Sequence, residues 1–150
     1  MIIQNNDPSC YPELIEIWEA SVRATHDFLS EEKIMEIRQI IIEGQIFSHV
    51  DLYIFQNSEG VKMGFLGLST DKIEMLFIHP DFRGMGIGRH LTRFSVIQKG
   101  ISKVEVNEQN KQAVNFYKKM GFQVVNRKPL DDMGNPFPIL QLEIQALNDE

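Results

Sequence analysis

The stretch IEMLFIHPDFRGMGIGRHL, Ile73 to Leu91, runs from a strand through a glycine-rich turn into a helix. Ile73 to His79 is apolar on both alternations apart from Glu74, the pattern of a strand covered on both faces in the middle of a sheet. Beyond Arg83-Gly84-Met85-Gly86-Ile87-Gly88, the residues Ile87, Leu91, Phe94 and Ile97 recur on one side of a predicted helix. Main-chain N–H groups at a helix start lack partners and point at whatever docks there. Glycines let that main chain approach closely, and Arg83 and Arg89 add positive charge, so the place attracts phosphate. A dinucleotide fingerprint needs glycine three residues after Gly86, and a mononucleotide P-loop ends in Gly-Lys-Ser/Thr; position 89 is Arg, and both fail. The spacing that fits is Arg-x-x-Gly-x-Gly at residues 83, 86 and 88, although glycines at such a junction also serve the turn itself.

Working outward, Met1 to Gln4 reads as an edge strand. Pro12 suits a first helical turn, followed by Leu14, Ile17, Trp18, Ser21 and Val22 at helical spacing. Ser30 caps a second helix with Glu31 and Glu32 in its first turn and an Ile34, Ile37, Ile41 stripe ending near Gly44. Strands are predicted over Val50 to Gln56 and Val61 to Thr70 about an Asn57–Gly60 turn. After Gly100 come a strand at Lys103 to Val106 and a helix from about Asn110 to Met120, stopped by Gly121. Strands near Phe122 to Asn126 and Ile139 to Ile144 flank the loop Asp131–Pro138. The order β-α-α-β-β-β-α-β-α-β-β implies a mixed α/β sheet with helices on both faces. No repeat or linker interrupts it, so residues 1–150 read as a single domain.

The 150 residues are 43 % hydrophobic and carry a net charge of −6, which argues against a general nucleic-acid binder. The acid is unevenly placed. Residues 1–60 hold Arg23, Lys33 and Arg38 against eleven acids, whereas Phe82 to Val104 holds five basic residues and no acid. That window suits a small polyanion, or equally a solvated helix face. The lone Cys10 excludes an intrachain disulfide, no metal-ligand spacing is present, and no apolar run reaches membrane-spanning length. The N-terminus lacks a secretory pattern, and a soluble cytoplasmic protein is expected.

The run Ile73–Leu91, together with Asn107 to Val124 (NEQNKQAVNFYKKMGFQV), resembles the two signatures of the GNAT superfamily of N-acetyltransferases. Within it the chain looks most like small single-domain bacterial members, including the segment Ala24–Ser30 and the tail Asp132-x-Gly-x-Pro. The resemblance implies a three-layer α/β/α fold, its mixed and mostly antiparallel sheet split by a splayed parallel pair. It implies acetyl-CoA as cosubstrate, without a metal, and a primary amine as acceptor (a protein lysine or N-terminus, or a small molecule). Attack would be direct, in a ternary complex. A monomer or homodimer is equally compatible, and so is the alternative of a catalytically weak acetyl-CoA-binding sensor.

Carried over by position, the main chain of Arg83, Gly84, Met85, Gly86, Ile87, Gly88 and Arg89 would hold the pyrophosphate. Main-chain groups of Leu76, Phe77 and Ile78 would pair with the pantetheine amides, and a bulge near Met75–Phe77 would aim one N–H at the thioester oxygen. Asn110 would help hold the pantetheine arm or cap its helix, beside Ala113 and Phe116. Tyr117 is the candidate general acid, or else a core tyrosine. Glu74 is the candidate base, made useful by a burial-raised pKa, or else a solvent-facing glutamate. His26, Asp27 and Phe28, between the N-terminal helices, and Asp132, with Asp131, in the late loop would wall the acceptor site. His79 reads as a turn residue.

Overall fold

The structure is a computed structural model that describes residues 1–5 and 7–148. Seven strands and four α-helices follow the expected order: β1 (Ile2–Asn5), α1 (Tyr11–Thr25), α2 (Glu31–Glu43), β2 (Asp51–Gln56), β3 (Lys62–Leu68), β4 (Lys72–Ile78), α3 (Ile87–Lys99), β5 (Lys103–Asn107), α4 (Lys111–Met120), β6 (Phe122–Lys128) and β7 (Ile139–Ile144). Capping sets several boundaries. The Ser30 hydroxyl accepts from the Lys33 N–H at the start of α2, and Asn110 accepts from the Ala113 N–H at the start of α4. Gly100 and Gly121 close α3 and α4 in the left-handed conformation that side-chain-bearing residues avoid.

The sheet order is β1-β2-β3-β4-β5-β7-β6, so β4 lies at its centre as its double-sided apolar pattern requires. All neighbours are antiparallel except β4 and β5, which α3 connects as a crossover. That parallel ladder contains only Lys72–Lys103 and Ile73–Val104, after which the strands part. The splayed, mixed sheet implied by the resemblance is therefore present. The bulge lies at the edge of the expected stretch, one residue before Met75: Leu68 faces Ile73 and Gly67 faces Met75, leaving Glu74 as the extra residue. It follows directly on the last β4–β5 pair, and an extra residue bends its strand, here away from β5.

On one face, α1 and α2 bury Leu14, Trp18, Val22 and Ile34 against Leu52, Ile54 and Phe65. On the other, Ile87 and Leu91 of α3 and Val114, Tyr117 and Met120 of α4 pack on Leu66, Ile73, Val104, Leu140 and Leu142. Ile97 departs from the expected stripe and is 61 % exposed. At 100° per residue it sits about 80° to one side of Ile87, whereas Thr92 and Ser95 turn to the other side and are fully buried. Their hydroxyls donate to the carbonyls of Gly88 and Leu91, which removes the cost of hiding them.

Candidate active site

Where β4 leaves β5, half of its main-chain groups lose a ladder. The His79 N–H donates to the Met63 carbonyl, which fixes the phase of the β3–β4 pairing. Hydrogen-bonded and non-bonded pairs alternate in an antiparallel ladder, so Phe77 pairs with Phe65 while Leu76 and Ile78 aim their N–H and C=O groups at the opening. The main chain of Phe77, expected to take part in cofactor binding, is thus engaged with β3, although the residue still borders the opening. Leu76 and Ile78 border the opening with main-chain groups that β3 does not engage.

The opening is a cavity of about 360 Å³. Its walls are Leu76 and Ile78 of β4, the turn Phe82–Gly86, the start of α3, the inner side of α4 and the end of α1. Gly84 and Gly86 both have positive φ, 76° and 80°, so the turn bends in a way that glycine alone adopts without strain. Gly86 is the N-cap of α3 and supplies no side chain, and the first helical bond runs from the His90 N–H to its carbonyl. The N–H groups of Ile87, Gly88 and Arg89 therefore have no intrahelical partner beside the cavity. A Cβ on Gly88 would lie 3.5 Å from the Phe116 ring, so its absence keeps this wall open. Arg83 and Arg89 line the rim from exposed positions. Met85 is exposed and does not line the cavity, and the Ile87 side chain is buried in the core, which limits both to their backbone.

Tyr117 is 5 % exposed, edge-on to Phe116 at 5.0 Å and to Phe122 at 5.4 Å between ring centroids. It also lines the cavity. Burial alone pushes its phenol well above the usual range, so the group stays protonated and can donate.

His26 enters the same space from the end of α1. The Thr25 hydroxyl donates to the Ser21 carbonyl at 2.8 Å, so its oxygen, 2.8 Å from His26 Nδ1, must receive that ring proton. This leaves Nε2 as an acceptor for Asn110 Nδ2 at 3.4 Å, while Asn110 Oδ1 accepts from the Ala113 N–H. Burial first, and then the positive charge of Arg83, holds the imidazole pKa down to about 4. The ring is neutral at physiological pH, as this chain of donors demands. Asn110 thus caps α4 and lines the cavity at once.

The expected acidic residues fare differently. Glu74 is exposed, accepts from Ser69 Oγ at 2.9 Å and lies 4.0 Å from Lys72 Nζ. The burial expected to tune it is absent, because the bulge turns it outward. It lines a second cavity on the α1/α2 face instead. Asp27 is exposed and lines neither space, whereas Phe28 bridges the His26 ring at 5.3 Å and Phe137 at 5.8 Å. Asp132, 82 % exposed, pairs with Lys128 at 2.9 Å and stays outside both cavities. Asp131 spends its carboxylate on Met133 and Asn135 of its own loop. His79 accepts from the Asp81 N–H, the turn role expected of it. Ser21, Thr25, Phe82 and Gln112 also line the cleft; no sequence signal singled them out. Among the described residues no group of three or more His, Cys, Asp or Glu is placed to hold a metal ion.

Comparison with known proteins agrees with this geometry. Residues 41–124 match the acetyltransferase (GNAT) domain family. The chain is 42 % identical over 130 residues to the peptidyl-lysine N-acetyltransferase YjaB of Escherichia coli, 87 % of each chain being covered. The solution structure of apo YjaB from Escherichia coli matches with a TM-score of 0.87, 39 % identity and 97 % of each chain covered. A PaiA N-acetyltransferase from Thermoplasma acidophilum in complex with coenzyme A shares the fold, with a TM-score of 0.64, 21 % identity and coverage of 94 % of this chain and 98 % of that one. The family match over more than half of the chain and the 42 % identity across 87 % of it show that the chain belongs to the GNAT acetyltransferase family.

Proposed function

We propose that this enzyme moves the acetyl group of acetyl-CoA to the ε-amine of a lysine in a protein or peptide, by direct attack with both substrates bound. The observation that carries the reading is the composition of one cleft. It has an uncapped helix start beside two arginines at one end, unpaired strand amides along one wall, and a partner-free phenol on the other. Those groups fit an elongated thioester with a diphosphate at its far end. Acetyl-CoA brings the activated acyl carbon. The lysine acceptor is favoured by bacterial relatives from Escherichia coli and Salmonella typhimurium that are named as peptidyl-lysine N-acetyltransferases.

In this reading the amides of residues 84–89, with Arg83 and Arg89, hold the diphosphate. Leu76 and Ile78 hold the amide-bearing arm by their main chains, and Ala113, Phe116 and Phe77 supply apolar walls. Asn110, steadied by His26, borders the same arm. The amine forms the C–N bond as the C–S bond breaks. The Tyr117 hydroxyl donates a hydrogen bond to the departing sulfur. A thiol has a reference pKa near 8.5 and an unperturbed phenol near 10, and burial widens that gap, so donation rather than full transfer is the role the phenol can perform. The proton released by the amine leaves through Glu74 or water at the parting of the strands. The buried free thiol of Cys10 suits the reducing cytoplasm in which we place the enzyme. Purified protein that binds acetyl-CoA in calorimetry and releases CoA only when lysine peptides are present meets the proposal. No binding of acetyl-CoA at millimolar concentration would overturn it.

A further inference from the structure

The second cavity holds about 410 Å³ and lies on the α1/α2 face, where β4 and β5 begin to part. Its walls include Trp18 and Phe47, both buried, with Ile41, Met75 and the Phe77 ring, and Glu74 and His49 are the ionisable groups among its lining residues. Phe77 also lines the first cleft, so one residue borders both spaces. Protein interiors are packed nearly without voids, and an unfilled apolar space forfeits contacts on every lining side chain. An apolar cavity of roughly 150 Å³ already stays dry and admits benzene. This one is larger, opens outward and carries an anion at Glu74, held in place by the Ser69 hydroxyl.

We propose that this cavity seats the bulky apolar side chain of a residue within two positions of the acetylated lysine, so that the enzyme selects lysines by an aromatic or branched neighbour. The inference rests on the lysine-acetyltransferase reading above. An ammonium group is drawn to the Glu74 carboxylate at the parting of the strands, beside the cleft that holds the thioester. A neighbouring side chain on the same face then meets Trp18, Ile41 and Met75. A polar or charged neighbour seated against those three apolar side chains would lose hydration that they do not replace. Continuity through Phe77 links occupancy of the cavity to the position of the reacting amine.

The test uses full-length enzyme, saturating acetyl-CoA and lysine peptides of Gly and Ser. One series carries a single Phe at each position from two before to two after the lysine; a control carries none. The expected result is a KM at least tenfold lower for one placement of Phe than for the control. Ile41→Trp, which fills the cavity from α2 and does not line the first cleft, should erase that advantage, so that the Phe peptide and the control have equal KM values, and should leave the acetyl-CoA affinity unchanged. Methyl resonances of Ile41 and Met75 in the wild-type protein with CoA bound should shift with the favoured peptide and stay fixed with the control, a readout that does not depend on the variant folding. Equal KM values for all peptides with silent methyls would overturn the cavity's role while the lysine reading stands. Acetyl-CoA binding without turnover on any lysine peptide would overturn both.

Discussion

Replacing Tyr117 by Phe removes one hydroxyl and leaves the ring where it packs, edge-on to Phe116 and Phe122. Among the described residues the hydroxyl has no side-chain or main-chain hydrogen-bond partner to lose. The change in folding stability should therefore stay within about 1 kcal/mol, since the ring still fills its site and no buried partner is left unpaired. Turnover is another matter. A hydrogen bond to a charged group is worth about 1.5–3 kcal/mol, and each 1.36 kcal/mol on the barrier is tenfold in rate. Loss of a donor to the developing thiolate should lower kcat roughly 10- to 150-fold. The acetyl-CoA dissociation constant should change by less than about threefold, since the ground-state sulfur needs no donor. Stopped or continuous detection of free CoA gives kcat, calorimetry gives affinity, and thermal melts confirm the fold. Because burial raises the phenol pKa, its deprotonation lies beyond the alkaline limb of an ordinary activity profile, and wild type and variant should share that limb. A variant with kcat within threefold of wild type, or one whose loss of rate tracks a fall in Tm, would refute the role.

Arg83→Ala and Arg89→Ala should each weaken acetyl-CoA binding about two- to fivefold, as exposed ion pairs do, with kcat little changed. Calorimetry at roughly 0.05 and 0.5 M salt should show the difference fading as screening rises. His26 has a folded-state pKa of about 4 against an ordinary 6.5. Its unfolded form binds a proton between those values and its folded form does not, so this group lowers stability as pH falls from 6.5 toward 4, by at most about 3 kcal/mol. Melts across that window should therefore show a shallower decline for His26→Gln than for wild type. Ser30→Ala removes the cap on the Lys33 N–H and should cost about 1 kcal/mol, a Tm lower by roughly 2–4 °C, with unaltered acetyl-CoA affinity.

The order of elements was legible because its signals are local. Ser30 and Asn110 cap, Gly100 and Gly121 stop, and Ile73 to His79 is apolar on both alternations. The glycine turn was legible for the same reason. What escaped depends on partners distant in sequence. The extra residue in β4 is Glu74 because Gly67 meets Met75 and Leu68 meets Ile73, a register that β4 alone does not encode. The engagement of the Phe77 backbone follows from a bond between His79 and Met63. The contact of His26 with Asn110 spans 84 residues, and nothing near either residue announces it. Asp132 is the exception, a residue expected at the acceptor wall whose partner, Lys128, lies only four residues earlier. Trp18, Ile41 and Met75 read as core by periodicity, which does not distinguish a wall of the core from a wall of a cavity.

Strand β4 shows why stability and binding are set against each other here. Ile73, still paired to β5, is 2 % exposed, yet Met75, Leu76, Phe77 and Ile78 remain half-buried although their strand is the fourth of seven. The fold places this apolar strand where protein covers each face only in part, with a cavity on either side, because β5 has turned away and α1 ends nearby. Ligand must complete what the chain leaves open. A ligand that binds only the folded state adds stability by mass action, about 2.7 kcal/mol at one hundred times its dissociation constant. For a chain of this length that is a rise in Tm of roughly 5–11 °C. Acetyl-CoA should produce it, and adenosine 3′,5′-bisphosphate, which offers anion but no arm to lie along Leu76 and Ile78, should produce distinctly less at the same molar concentration. Equal shifts from both would mean that the strand edge contributes nothing and that the arginine-flanked turn acts alone.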